Sequence, residues 1–73
     1  MAESKFNQET FNLEVRKFLK KVGVNSQREI ERAVGEALRA GVLTGDERLR
    51  AEVILSLPGV KLSYRVDDDI ALS

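Results

Sequence analysis

The stretch Leu43-Thr44-Gly45-Asp46-Glu47-Arg48-Leu49-Arg50-Ala51-Glu52-Val53-Ile54-Leu55-Ser56-Leu57 decides how this chain folds. Before it, apolar residues recur every three or four positions; inside it they recur every second one. The first rhythm is that of a helix with one oily stripe and the second that of a half-buried strand. Leu49, Ala51, Val53, Leu55 and Leu57 form one face, and Arg48, Arg50, Glu52, Ile54 and Ser56 form the other. Thr44-Gly45-Asp46 reads as the turn between the two regimes.

Downstream, Pro58-Gly59 breaks the run, and Val60, Leu62, Tyr64 and Val66 then alternate with Lys61, Ser63, Arg65 and Asp67. An antiparallel hairpin follows, with strands over about 48–57 and 60–66. Setting Leu57 against Val60 pairs Leu55 with Leu62, Val53 with Tyr64 and Ala51 with Val66. On the other face it sets Glu52, Arg50 and Arg48 against Arg65, Asp67 and Asp69, three pairs of unlike charge. A four-residue loop closed by Ser56 and Lys61 keeps that register and suits Pro-Gly better than a two-residue turn. A turn over Asp67-Asp68-Asp69 would return Ile70-Ala71-Leu72 as a third strand on the oily face; the competing reading is one longer, bulged strand.

Upstream, Phe11, Val15, Phe18, Leu19 and Val22 make a stripe that predicts a helix over 8–22, capped by Asn7 or Thr10 and ended by Gly23. Ser26-Gln27-Arg28-Glu29 has the spacing of a capping box, which predicts a second helix over 27–40. Its stripe is Ile30, Ala33, Val34, Ala37 and Leu38, and Gly41 ends it. The expected fold is α+β: two N-terminal helices packed on a C-terminal antiparallel β-meander of two or three strands, in a single small domain over 1–73.

The chain has 73 residues, 42% hydrophobic and 33% charged, which is the balance of a soluble globular domain. A core of this size leaves only about 3 to 5 kcal/mol of stability, so small domains add disulfides, a metal or a second subunit. The sequence contains no Cys and no His. Disulfides, thiolate and imidazole metal sites, and Ser-His-Asp or Cys-His catalysis are thereby excluded, leaving oligomerisation as the available support. No catalytic, cofactor-binding or metal-binding residue is therefore assigned, and no enzyme is expected. The glycines match neither G-x-G-x-x-G nor the P-loop pattern. The aspartate run offers hard oxygen ligands, but three adjacent side chains cannot converge on one ion.

Twelve basic residues balance twelve acidic ones, which disfavours a nucleic-acid or anionic-lipid partner. Residues 1–40 hold eight Lys/Arg against six Asp/Glu, and residues 41–73 hold four against six. The polar start MAESKFNQETFNLE lacks the apolar run of a signal peptide, and no stretch approaches a membrane span; a cytoplasmic location is expected.

Two surfaces stand out as candidates for interaction. Arg16, Lys17, Lys20 and Lys21 form the densest basic cluster; they also complement the carbonyl end of a helix dipole, and no aromatic residue interleaves them to stack on bases. Leu13 lies off the main stripe, and Ile54 stands alone on a charged strand face. A helix-turn-helix reading fails on Glu29, which falls where an apolar residue is needed, and on the acidic character of the would-be recognition helix.

The block Phe11 to Gly41, FNLEVRKFLKKVGVNSQREIERAVGEALRAG, resembles the N-terminal half of a family of small bacterial proteins of unknown function and similar length. The likeness rests on RKFLKKVGV, SQREIE and ALRAG, and it implies no activity, ligand or site residue. The expected role is a non-catalytic protein-interaction module that self-associates or binds a protein partner, with no small molecule. The alternative is nucleic-acid binding through the basic end of the first helix.

Overall fold

The computed structural model describes residues 5–73; residues 1–4 of the polar N-terminus lie outside the described residues. The order is helix α1 (Gln8–Arg39), strand β1 (Arg48–Leu57), a 3-10 turn (Pro58–Val60) and strand β2 (Leu62–Ala71). The chain divides into two compact units, Met1–Glu36 and Ala37–Ser73.

Both ends of α1 are set by local chemistry. Asn7 caps the start: its side-chain oxygen accepts the Thr10 backbone N–H at 2.9 Å, and its carbonyl accepts that of Phe11 at 2.9 Å. Phe6, just before the cap, packs its ring against Phe11 with centroids 5.4 Å apart, the contact of a hydrophobic staple. At the other end Gly41 takes a left-handed φ of 77°. There the Gly41 N–H donates to the Leu38 carbonyl at 3.2 Å and the Val42 N–H to the Ala37 carbonyl at 2.9 Å, the paired bonds of a Schellman motif.

The expected break between two helices does not occur: residues 8–39 form one helix of 32 residues. Gly23 keeps right-handed helical geometry, since the only glycines with positive φ among the described residues are Gly41 and Gly45. The capping-box spacing at Ser26 has no free N–H groups to satisfy when the helix runs through, and Glu29 pairs with Arg32 at 2.9 Å instead. Gly23 costs a continuous helix only about 1 kcal/mol. Continuation also keeps the two predicted stripes on one side, because Val22, Ser26 and Ile30 follow one another at intervals of four.

In the second unit, β1 and β2 form a two-stranded antiparallel sheet. The register pairs Leu57 with Leu62, Leu55 with Tyr64, Val53 with Val66, Leu49 with Ile70 and Arg50 with Asp69. This differs from the expected pairing by two residues. The loop does have four residues, but they are Pro58 to Lys61: Lys61 adopts a left-handed φ of 55° and donates its N–H to the Pro58 carbonyl at 3.1 Å. Val60 is thereby drawn into the turn and the closing pair moves to Leu57 and Leu62. An even shift preserves which side chains share a face, so the division into an oily and a charged face stands.

The turn over Asp67-Asp68-Asp69 and the third strand 70–72 are likewise replaced. β2 continues unbulged through the aspartates to Ala71, and the Leu72 N–H adds a bond of 3.1 Å to the Glu47 carbonyl. Asp67 and Asp69 remain in the strand because both bond Arg50, at 2.7 and 3.1 Å. Asp68 alone falls on the oily face, where its partner is Ala51, the smallest side chain there.

Candidate interaction surfaces

Among the described residues neither unit contains its own core. No residue of α1 is buried, and no residue of either strand is. Phe11, Phe18 and Leu19 are each about half exposed, as are Val53, Tyr64 and Val66 on the hairpin. A lone helix and a two-stranded sheet can each gather apolar side chains on one side, but covering them takes a second layer.

On α1 the apolar strip runs Phe11, Val15, Phe18, Val22, then Ser26, then Ile30, Ala33 and Ala37, with Leu19 and Val34 along one flank. The polar side is laced by local bonds: Gln8 to Asn12 at 3.2 Å, Gln27 to Glu31 at 3.1 Å, and Arg32 to both Glu29 and Glu36 at 2.9 and 3.1 Å. Such pairs, three or four residues apart, support an exposed helix by a few tenths of a kcal/mol each.

Helical spacing brings Leu13, Arg16, Lys17 and Lys20 together as i, i+3, i+4 and i+7 on the side away from that strip, with Lys21 beside them. Leu13 is 58% exposed within this basic surface. Lys17 is tied to Glu14 at 3.1 Å. Ile54 belongs to the other unit, on the charged face of the hairpin, opposite Arg65 and 65% exposed. The six predicted surface residues are thus one cluster of five on α1 and one isolated strand residue.

The charged face of the hairpin carries a connected network. Arg50 bonds Asp67 and Asp69, while Arg65 bonds Glu52 and reaches Asp67 at 3.5 Å. Two of the expected unlike pairs, Glu52 with Arg65 and Arg50 with Asp67, therefore form on the diagonal rather than directly across, and Asp69 goes to Arg50 instead of Arg48.

One organising residue escaped the sequence reading. The Glu47 carboxylate accepts the backbone N–H groups of Thr44 at 2.8 Å and Gly45 at 2.9 Å, as well as the Thr44 hydroxyl at 3.1 Å. These backbone bonds, that of Thr44 foremost, hold its pKa down to about 2. The signal was present: Thr44-x-x-Glu47 has the same spacing as Ser26-x-x-Glu29.

Among the described residues no three His, Cys, Asp or Glu gather as a metal would need, and no helix is long and apolar enough to cross a membrane. The model of one protein family, DUF6494, a family of unknown function, matches residues 6–73. No curated protein and no solved structure matches the chain.

Proposed function

The chain belongs to the DUF6494 family, whose function is unknown, and from that premise we propose that it is a non-catalytic protein-interaction module that associates with itself. The observation that carries this reading is the absence of any buried side chain within α1 or within the hairpin, although each carries most of its large apolar residues on one face. Isolated two-stranded sheets are marginal in water, and most helical stability in proteins comes from packing an apolar face. A second subunit supplies the missing layer and couples folding to association. The non-catalytic part rests on composition, a chain with neither His nor Cys.

Sedimentation equilibrium and thermal melts over a hundredfold range of concentration test the reading. It requires a mass above 8.2 kDa and a melting temperature that rises with protein concentration. A monomer whose melt is independent of concentration refutes it.

A further inference from the structure

The spacing of the apolar strip on α1 is symmetric. From Phe11 through Val15, Phe18, Val22, Ser26, Ile30 and Ala33 to Ala37 the steps are 4, 3, 4, 4, 4, 3 and 4, the same read in either direction, with Val24 at the centre. Resting on the self-association proposed above, we infer that the partner of this strip is α1 of a second copy, lying antiparallel, with the two-fold axis crossing the strip between Val22 and Ser26, at the level of Val24 along the helix.

Three features of the chain favour this occupant and this direction. The first is fit along the length. The strip spans 27 residues, and its seven steps average about 3.7 residues, close enough to the 3.6 per turn of a straight helix for two nearly straight helices to stay in contact throughout. An antiparallel copy presents an identical strip in matching steps.

The second is size. Antiparallel pairing about Val24 sets Phe11 opposite Ala37 of the second copy, Val15 opposite Ala33, Phe18 opposite Ile30 and Val22 opposite Ser26. A larger residue meets a small one at three of these four levels, the exception being Phe18 with Ile30, which suits close packing between helices. A parallel, in-register pair would set Phe11 and Phe18 against themselves and leave Ala33 and Ala37 facing each other across a gap.

The third is charge. Residues 8–23 hold four Lys/Arg against two Asp/Glu, whereas residues 24–39 hold three of each. Antiparallel pairing spreads the basic halves apart and brings Lys21 beside Glu29 of the second copy; parallel pairing stacks two basic halves together. Arg16, Lys17 and Lys20 stay on the outer surface.

Because the chain has no cysteine, a nitroxide at a single introduced one reports distance between copies. Thr10→Cys and Arg39→Cys place labels near the two ends of α1, clear of the strip. With a rise of 1.5 Å per residue, double electron-electron resonance on the full chain should give about 40 to 45 Å at each site. A distance under about 25 Å at either site of a dimer overturns the proposed antiparallel arrangement while leaving self-association in place. No dipolar coupling together with a monomeric mass removes both. Either site decides the direction alone, so a variant that loses helicity by circular dichroism does not leave the question open.

Discussion

Asp67 is the register partner of Glu52 across the hairpin, and Arg65 bonds both carboxylates. Two like charges directly opposed on one sheet face destabilise a strand pair, so this register depends on the cations set diagonally to them. Arg65→Ala should therefore cost more than the loss of an ordinary surface ion pair, because it leaves the two acids opposed without the cation they share. All the groups are substantially exposed, which limits the effect to about 0.5 to 1 kcal/mol. Urea titration of wild type and variant at low salt and at roughly 1 M salt checks it, since screening over about 3 Å should erase most of the difference. An equal loss at both salts would mean that packing, not charge, is responsible.

Gly23 provides a sharper test of the fold. In a continuous helix its φ is ordinary, and a Cβ added there meets nothing within 4 Å. Gly23→Ala should then stabilise the chain by up to about 1 kcal/mol through helix propensity and a less disordered unfolded state. Gly41→Ala should do the opposite, because Gly41 holds a φ of 77° at the helix end. Melting temperatures and helical circular dichroism of the two variants distinguish the cases. A destabilising Gly23→Ala would mean a chain that turns at Gly23.

The pattern of success and error in reading the sequence follows from the range of each signal. Strand faces were legible because alternation is fixed by the pleat and survives any even shift, so Val53, Leu55, Tyr64 and Val66 share a side in both the expected and observed pairings. The shift itself was not legible: it depends on Lys61 entering a left-handed conformation that no local preference of lysine announces. Ser26-x-x-Glu29 and Thr44-x-x-Glu47 carry the same spacing, yet only the second forms its backbone bonds. The difference is whether the backbone N–H groups already have helical partners. The six surface residues were legible as exposed, whereas the continuity of the strip on α1 emerged only once the helix was seen to pass through Gly23.

Lys61 offers a third prediction. A non-glycine residue in the left-handed region costs roughly 1 to 2 kcal/mol, and its N–H bond to Pro58 is made by the backbone. Lys61→Gly should keep that bond and relieve the strain, raising the melting temperature. Cross-strand nuclear Overhauser contacts between Val53 and Val66 should be unchanged, since the register is set by the turn and the turn is retained. If instead Val53 approaches Tyr64, the loop has moved back by one residue on each side.

The basic surface supplies a fourth. Because it lies away from the apolar strip, Lys17→Glu combined with Lys20→Glu should leave the sedimentation mass and the concentration dependence of melting unchanged. A fall to monomer would place these lysines inside the subunit contact and contradict the assignment of the strip as the contact surface. Ile54→Thr, on the charged hairpin face, should be similarly silent.

Acid provides the last test. Glu47 titrates at about 2 in the folded chain against an ordinary 4.5, and a depressed carboxylate pKa stabilises the fold only while the group is ionised. The contribution is thus fully present above pH 4.5 and is lost as pH falls from there toward 2. Glu47→Gln removes the charge but keeps the size, so it should lower stability at neutral pH and flatten the acid limb of the stability curve over that same interval. A carboxyl chemical-shift titration locates the midpoint directly. A midpoint near 4.5 would mean that the Thr44 and Gly45 N–H groups do not hold the carboxylate in solution, and that the turn leading into β1 is organised by something other than Glu47.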